Sequence, residues 1–180
     1  MKNVKMVIAA LVAAVTVLSN GTVAHAAENG LTVVSAGNME VKQLSEEEVA
    51  QLNSTLSTDT MVGENALELN ANSSYTVYQY SDTFNFHLGD TWVAAADIVC
   101  IVYRYSDGKV HLYSRDIDLR RVTYYDAYIT YGSIVNTDGS VCYTTGDRVT
   151  VYDYYNMWTF AIDFAATPTG QSFTCYEIDY

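Results

Sequence analysis

The side chains that could carry out chemistry in this 180-residue chain are few and widely spaced. His87 or His111 could act with a serine and a carboxylate, as in a Ser–His–Asp site. Asp116 and Asp118 share one face of a predicted strand, where two carboxylates could serve a glycosidase or bind calcium with a neighbouring loop. Each set is more typical of a solvated or packed strand than of an active site, so we assign no catalytic residue.

Several enzyme classes are recognised by short motifs that this sequence lacks. It has no G-x-S-x-G, no H-E-x-x-H, no P-loop and no glycine-rich dinucleotide fingerprint. It also has neither a zinc-type Cys/His spacing nor a D-x-D-x-D-G calcium loop. We therefore expect no cofactor and no metal site. A small secreted hydrolase using an acidic pair or His111 remains the alternative to a non-enzymatic protein.

The three cysteines, Cys100, Cys142 and Cys175, all lie in predicted strands. An odd number in an exported protein allows one disulfide between two of them, an intermolecular bridge, or three buried thiols. The sequence does not choose among these arrangements or among the pairings. A catalytic cysteine is disfavoured, because cysteines in strands are usually buried and inert.

Tyrosine is unusually frequent, with 16 Tyr against 5 Phe and 2 Trp. Neighbours in a strand point to opposite faces, so adjacent tyrosines must place some rings outward. Exposed, rigid Tyr rings offer contact area at low entropic cost. They predict a platform for a surface glycan or a protein partner, against the alternative that they serve only cross-strand pairing. The predicted binding residues are Tyr124, Tyr125, Tyr152, Tyr154 and Trp158.

The N-terminus has the order of parts of a secretory signal peptide. Lys2 and Lys5 precede an uncharged apolar run over 6–18, and Ala24-His25-Ala26 is a small-x-small cleavage site. The apolar run is shorter than the roughly 20 residues that a spanning helix needs. We therefore expect residues 1–26 to be removed and the protein to be secreted, with no stable membrane insertion.

The chain is strongly acidic, with 9 basic and 21 acidic residues and a net charge of −12. Loss of the two lysines of the leader would bring the net charge to −14. Nucleic-acid binding depends on basic contacts to phosphate, and anionic membranes attract basic segments. We therefore expect neither partner, whereas an acidic surface favours solubility and attracts cations or basic partners.

The chain divides near residue 72 into a polar segment and a strand-rich part. Over 27–72 the sequence shows no sustained strand pattern, but Ser45 followed by Glu48 is a capping box. An apolar stripe at helical spacing follows it. The stripe consists of Val49, Leu52 and Leu56. We predict a short helix near 46–56 that packs on the core.

Residues 73–180 are predicted to form antiparallel strands. The strands are predicted at 74–80, 83–88, 92–105, 110–119, 128–136, 141–144, 149–155, 157–165 and 172–178. Asp107-Gly108 and Asp138-Gly139 each separate two of them and predict type I′ hairpin turns, in which both central residues have positive φ. About nine short strands favour an all-β, antiparallel β-sandwich, with a closed barrel as the alternative.

The whole mature chain resembles the small secreted all-β proteins of unknown function that are common in Gram-positive bacteria, and the leader with three local stretches carries the resemblance. The stretches are Tyr105–Val110, Asn136–Ser140 and Ser172–Glu177. The resemblance implies secretion and an all-β fold, and it carries over no functional residue.

The leading hypothesis is a secreted, non-enzymatic β-sandwich that binds a glycan or a protein at the cell surface. It rests on the excess of tyrosine and on the absence of catalytic motifs. The first alternative is the small secreted hydrolase. The second is a secreted toxin or inhibitor.

Overall fold

The computed structural model describes residues 24–26, 30–35, 39–56 and 74–178. These residues form twelve strands and one helix, which confirms the predicted all-β class with one short helix. The first 23 residues of the expected signal peptide lie outside the described residues. Among the residues that are described, no helix is long and apolar enough to cross a membrane.

The first sheet takes strands from both the N-terminal segment and the strand-rich part. Its strands are β1 (Ala24–Ala26), β2 (Leu31–Ser35), β3 (Glu40–Gln43), β4 (Tyr75–Leu88), β5 (Thr91–Tyr105) and β6 (Val110–Arg121). β4, β5 and β6 pair as consecutive antiparallel strands. β2 and β3 pair one after the other with the other edge of β4, and β1 pairs with β2.

β2 and β3 correct the expectation that the segment before residue 72 contains no sustained strand. Leu31 and Val33 alternate into the core and are almost fully buried, so β2 is short but amphipathic. Its partner β4 lies more than forty residues further along the chain, and no local pattern shows this pairing. The N-terminal segment is therefore part of sheet 1 as well as the carrier of the helix.

The second sheet is a meander made from the rest of the chain. Its strands are β7 (Asp126–Thr130), β8 (Ser133–Asn136), β9 (Cys142–Thr145), β10 (Arg148–Tyr152), β11 (Met157–Thr167) and β12 (Gly170–Glu177). β7 pairs with β10 and β8 with β9, so β7–β8 and β9–β10 act as two long strands, each kinked once. β11 lies beside this pair and β12 forms the far edge.

The two sheets face each other across one core, as expected for a sandwich. Phe86 of sheet 1 contacts Phe160 of sheet 2 with ring centroids 4.8 Å apart. Tyr80 and Phe164 make a second contact between the sheets at 5.9 Å. The strands predicted from the sequence are almost correct. The exceptions are 74–80 and 83–88, which form one strand, and 128–136, which forms two.

The free edge of β6 in sheet 1 is covered by side chains of sheet 2. The Asn136 side chain accepts a hydrogen bond from the Leu112 amide at 2.8 Å and donates one to the Leu112 carbonyl at 3.1 Å. The Tyr131 hydroxyl donates to the Ile117 carbonyl at 3.2 Å. These bonds satisfy backbone groups that an edge strand would otherwise leave open to another chain.

Helix α1 (Glu46–Leu56) lies on the outer face of sheet 1. The capping box forms as predicted: the Ser45 amide donates to Glu48 at 2.9 Å, and the Glu48 amide donates to the Ser45 hydroxyl at 3.3 Å. Hydrogen bonds from Lys42 and Ser45 lower the pKa of Glu48 to about 2. The helix and the residue before it pack on sheet 1 through Leu44, Val49 and Leu52.

The hairpin between β5 and β6 forms where Asp107-Gly108 predicts it, but its turn is of another type. The Gly108 amide donates to the Tyr105 carbonyl at 3.0 Å, and the Tyr105 amide donates to the Lys109 carbonyl at 2.9 Å. Gly108 has φ +83° while Asp107 does not have a positive φ. This is a type I turn followed by a bulge at glycine, because Ser106 adds a third loop residue.

Cys100, Cys142 and Cys175 are buried, free thiols. The structure therefore favours the arrangement with three buried thiols and does not form the disulfide between two of them. Burial raises the pKa of Cys142 to about 12, and it also raises the pKa of Cys100 and Cys175. A raised thiol pKa keeps these groups protonated and unreactive.

Candidate functional site

The three most exposed tyrosines of the described residues lie at one end of sheet 2, and strand register explains why. Tyr152, the last residue of β10, pairs with Asp126, the first residue of β7. The connection before β7 and the turn after β10 therefore leave the sheet at the same end. Tyr124 lies in the connection and is 88% exposed, while Tyr154 and Tyr155 lie in the turn and are 92% and 86% exposed.

The turn that carries Tyr154 and Tyr155 is held by Asp153. Its carboxylate accepts hydrogen bonds from the Tyr155 and Asn156 amides, both at 2.7 Å, and from the Asn156 side chain at 3.2 Å. The Asp153 amide donates to the Asn156 carbonyl at 2.9 Å. The two rings are thus displayed on an ordered turn, with centroids 4.9 Å apart and planes at 77°.

The connection that carries Tyr124 is ordered in a similar way. The Tyr125 amide donates to the Val122 carbonyl at 3.2 Å, which closes a turn around Tyr124. Arg121 donates to the Tyr125 carbonyl at 3.1 Å and pairs with Asp126 at 3.1 Å. The Tyr124 ring is therefore exposed on a turn whose backbone and flanking charges are already engaged.

Two further tyrosines continue the same surface onto the outer face of sheet 2. Tyr128 and Tyr152 alternate with core residues, so both point away from the core, and their rings meet edge to face at 6.1 Å. Met157 pairs with Tyr152 and is also exposed. We call the five tyrosines the tyrosine end. They are Tyr124, Tyr128, Tyr152, Tyr154 and Tyr155.

The structure brings together three of the five predicted binding residues and places the other two in the core or against it. Tyr124, Tyr152 and Tyr154 belong to the tyrosine end. Trp158 is 3% exposed and lies in the core, because it alternates with Phe160 on the inner face of β11. Tyr125 packs against the core as well. Both predicted binding residues are therefore wrong, because the side chains of Trp158 and Tyr125 point towards the core and not to the surface.

Tyr128 and Tyr155 are binding candidates that the sequence does not single out. A turn signal was present for Tyr155, since Asp153 and Asn156 flank the two tyrosines as turn residues do. Tyr128 had no such signal, because its exposure depends on the pairing of β7 with β10.

The residues that the sequence offers for catalysis all lie on sheet 1. Asp116 and Asp118 are exposed on β6, and His87 lies beside Trp92 at a bulge between β4 and β5. His111 is half-buried opposite Tyr103, and its Nδ1 has no hydrogen-bond partner among the described residues. Burial lowers the pKa of His111. A histidine without an orienting partner does not form the Ser–His–Asp arrangement.

One partly buried carboxyl on the outer face of sheet 2 has a shifted pKa. Burial raises the pKa of Asp163, against the hydrogen bond that Tyr176 donates at 3.1 Å. Asp147, which also raises this pKa, is itself held in a buried ion pair with Arg115. Within the described part of the chain, no three His, Cys, Asp or Glu side chains gather as metal ligands would.

Comparisons with known proteins add no relative. No protein-family model matches the chain, and neither the curated proteins nor the solved structures include a significant match. The resemblance to small secreted all-β proteins therefore stays a prediction, and the case for function depends on the geometry of the tyrosine end.

Proposed function

We propose that this protein is a secreted, non-enzymatic recognition module that binds at the cell surface through the tyrosine end. The observation that carries the proposal is the display of Tyr124, Tyr154 and Tyr155, each more than four-fifths exposed, on two hydrogen-bonded turns at one end of sheet 2. Large apolar rings that are exposed together mark interaction sites.

Order in the turns matters because it lowers the entropy lost on binding. Asp153 holds one turn by accepting hydrogen bonds from three donor groups, and Arg121 supports the other turn. Tyr rings in such positions contribute contact area with only two side-chain torsions to restrict. The tyrosine end therefore has the properties of a preorganised contact surface.

The test compares three forms of the purified protein for binding to whole cells and to insoluble cell-wall material. The variant Tyr154→Ala/Tyr155→Ala removes two rings of the tyrosine end and should lose most of the binding. The control Tyr75→Ala removes a ring that is 46% exposed on sheet 1 and should bind as the wild type does. Circular dichroism checks that each form is folded.

Equal binding by the wild type and the Tyr154→Ala/Tyr155→Ala variant would contradict the proposal. Loss of binding in the Tyr75→Ala control alone would also contradict it, because the contact surface would then lie on sheet 1. Loss of binding in the Tyr154→Ala/Tyr155→Ala variant alone supports the proposal and locates the site at the tyrosine end.

A further inference from the structure

We infer that the ligand of the tyrosine end is a neutral polysaccharide, recognised by the stacking of sugar rings on exposed tyrosines. This inference rests on the proposed function and adds the chemical class of the ligand. It is carried by two observations on the described residues: the charges beside the rings are already paired, and the rings are set edge to face.

The first observation concerns the carboxylates next to the rings. Asp126 pairs with Arg121 at 3.1 Å, and Asp153 accepts hydrogen bonds from the Tyr155 and Asn156 amides. These bonds lower the pKa of Asp153, with the Tyr155 amide as the largest cause. The local carboxylates thus stabilise the turns that carry the rings.

The net charge of −12 would suggest a basic partner for this protein. A basic partner gains affinity from carboxylates that it can pair with, and that attraction weakens as salt is added. At the tyrosine end Arg121 already neutralises Asp126, and Asp153 already accepts the amides of its turn, so a basic partner gains less from these carboxylates than from free ones. The surface therefore favours a ligand that it contacts through rings and without charge pairing.

The second observation is the orientation of the rings. The planes of Tyr154 and Tyr155 meet at 77°, and those of Tyr128 and Tyr152 meet at 62°. Rings in edge-to-face pairs leave no parallel slot for a flat aromatic ligand. They present single ring faces in different directions, which suits the apolar C–H faces of successive pyranose units along a chain.

The spread of the rings also suits an extended ligand. Tyr128 lies two residues along β7 from the Asp126–Tyr152 pair, a distance of about 7 Å at the rise of a β-strand. Tyr154 and Tyr155 extend the surface beyond that pair. Contacts at several separate rings add along a polymer, so longer oligosaccharides should bind more tightly than short ones.

The experiment measures the affinity of the purified protein for soluble polysaccharides by isothermal titration. The panel contains a neutral glucan, a neutral mannan and a neutral xylan, with polygalacturonate and chitosan as charged polymers. Each is measured at about 0.05 M and about 0.5 M NaCl, a range over which charge interactions are strongly screened. We expect binding to at least one neutral polymer that changes less than about twofold with salt.

Two double variants separate stacking from hydrogen bonding. Tyr154→Phe/Tyr155→Phe keeps both rings and should retain the affinity within about threefold. Tyr154→Ala/Tyr155→Ala should lose at least about tenfold, equivalent to the loss of one strong contact. The Tyr75→Ala control should match the wild type.

Two results would overturn the inference while leaving the proposed function in place. One is binding only to a charged polymer, lost at high salt. The other is cell-surface binding that requires Tyr154 and Tyr155 but disappears when the cells are treated with protease, which would identify a protein partner. If the Tyr154→Ala/Tyr155→Ala variant binds cells as the wild type does, the proposed function and the inference fail together.

Discussion

Arg115 and Asp147 form a buried ion pair at the point where two strands of sheet 2 bend. Arg115 Nε lies 2.6 Å from Asp147 Oδ2, and Asp147 is completely buried. The other carboxylate oxygen accepts the Gly132 amide at 2.7 Å, and Arg115 donates to the Gly132 carbonyl at 2.7 Å. The pair thus satisfies backbone groups of Gly132 that lie outside the strands at the kink.

Asp147→Ala should destabilise the protein by about 3–5 kcal/mol, because it leaves a buried guanidinium without its partner. The matched control is Asp126→Ala, which removes an exposed partner of Arg121 and should change the free energy of unfolding by no more than about 1 kcal/mol. Urea unfolding followed by circular dichroism measures both. Similar losses in the two variants would show that the buried pair has no special role.

His111 should make the stability fall in mildly acidic solution. Burial lowers the pKa of His111 in the folded chain, so the unfolded chain takes up the proton first as the pH falls below about 6.5. The contribution of neutral, buried His111 to the stability of the folded protein is therefore fully present above that pH. It decreases as the pH falls towards the lower pKa of His111 in the folded state.

His111→Gln removes this titration and should make the melting temperature less sensitive to pH between about 7.5 and 5. Melting curves of the wild type and the variant at both pH values give the comparison, and His87 is present in both. An unchanged difference between the two pH values would rule out His111 as the source.

At the scale of elements, patterns confined to a few neighbouring residues correctly located a helix and a hairpin, although the turn type predicted at Asp107-Gly108 was wrong. The capping box at Ser45 and Glu48 identified α1 with its observed bounds, and Asp107-Gly108 identified a hairpin. The wrong strand predictions depend on residues far apart in sequence. Ser81 resembles a break between two strands, yet it pairs with Val99 of β5 within one long strand.

The kink at Gly132 is the clearest element that the sequence could not show. A Cβ atom at Gly132 would overlap the Thr145 carbonyl oxygen and the backbone of Gly146, so the two bent strands approach each other closely there. The approach depends on Arg115 and Asp147, which come from other parts of the chain. The predicted strand 128–136 is divided for this reason.

Gly132→Ala should destabilise the protein by about 1–3 kcal/mol or more, because backbone that cannot move aside blocks the new methyl group. Gly170→Ala is the control, since its Cβ would meet only the Thr167 hydroxyl oxygen at 3.9 Å. Thermal unfolding of the two variants gives the result. If Gly132→Ala leaves the thermal stability unchanged, the strands can move apart at no cost in free energy and the kink is loosely packed.

At the scale of the whole molecule, the expected export has a structural consequence. The predicted cleavage after Ala26 falls at the end of β1, which pairs with Thr32–Val34 of β2. Removal of the leader would therefore take away β1 and leave that edge of β2 open. The rest of sheet 1, from β2 to β6, keeps its pairing.

Export predicts that protein recovered from the culture medium begins at Ala27, which mass spectrometry of the intact chain can determine. Ala26→Phe places a large residue in the small-x-small site and should keep the leader attached. A full-length chain found only inside the cells would contradict secretion.

The tyrosines of the two sheets differ in how far their rings are buried. On sheet 1, Tyr103 contacts both Tyr75 and Tyr113 and belongs to the apolar cluster that the helix covers. Burial raises the pKa of Tyr103 to about 12. At the tyrosine end of sheet 2, Tyr124, Tyr154 and Tyr155 are almost fully exposed. Composition predicts that some rings face solvent, whereas only register and turns show which ones.

The most direct test of the recognition surface is mass-spectrometric footprinting by tyrosine nitration, with and without cell-wall material. In the free protein, Tyr124, Tyr154 and Tyr155 should be nitrated readily because they are almost fully exposed. On binding they should become protected by at least about fivefold, as expected for rings removed from water at a contact. Tyr75 should react equally in both states. Protection at Tyr75, or bound protein with a fully reactive tyrosine end, would contradict the proposed site.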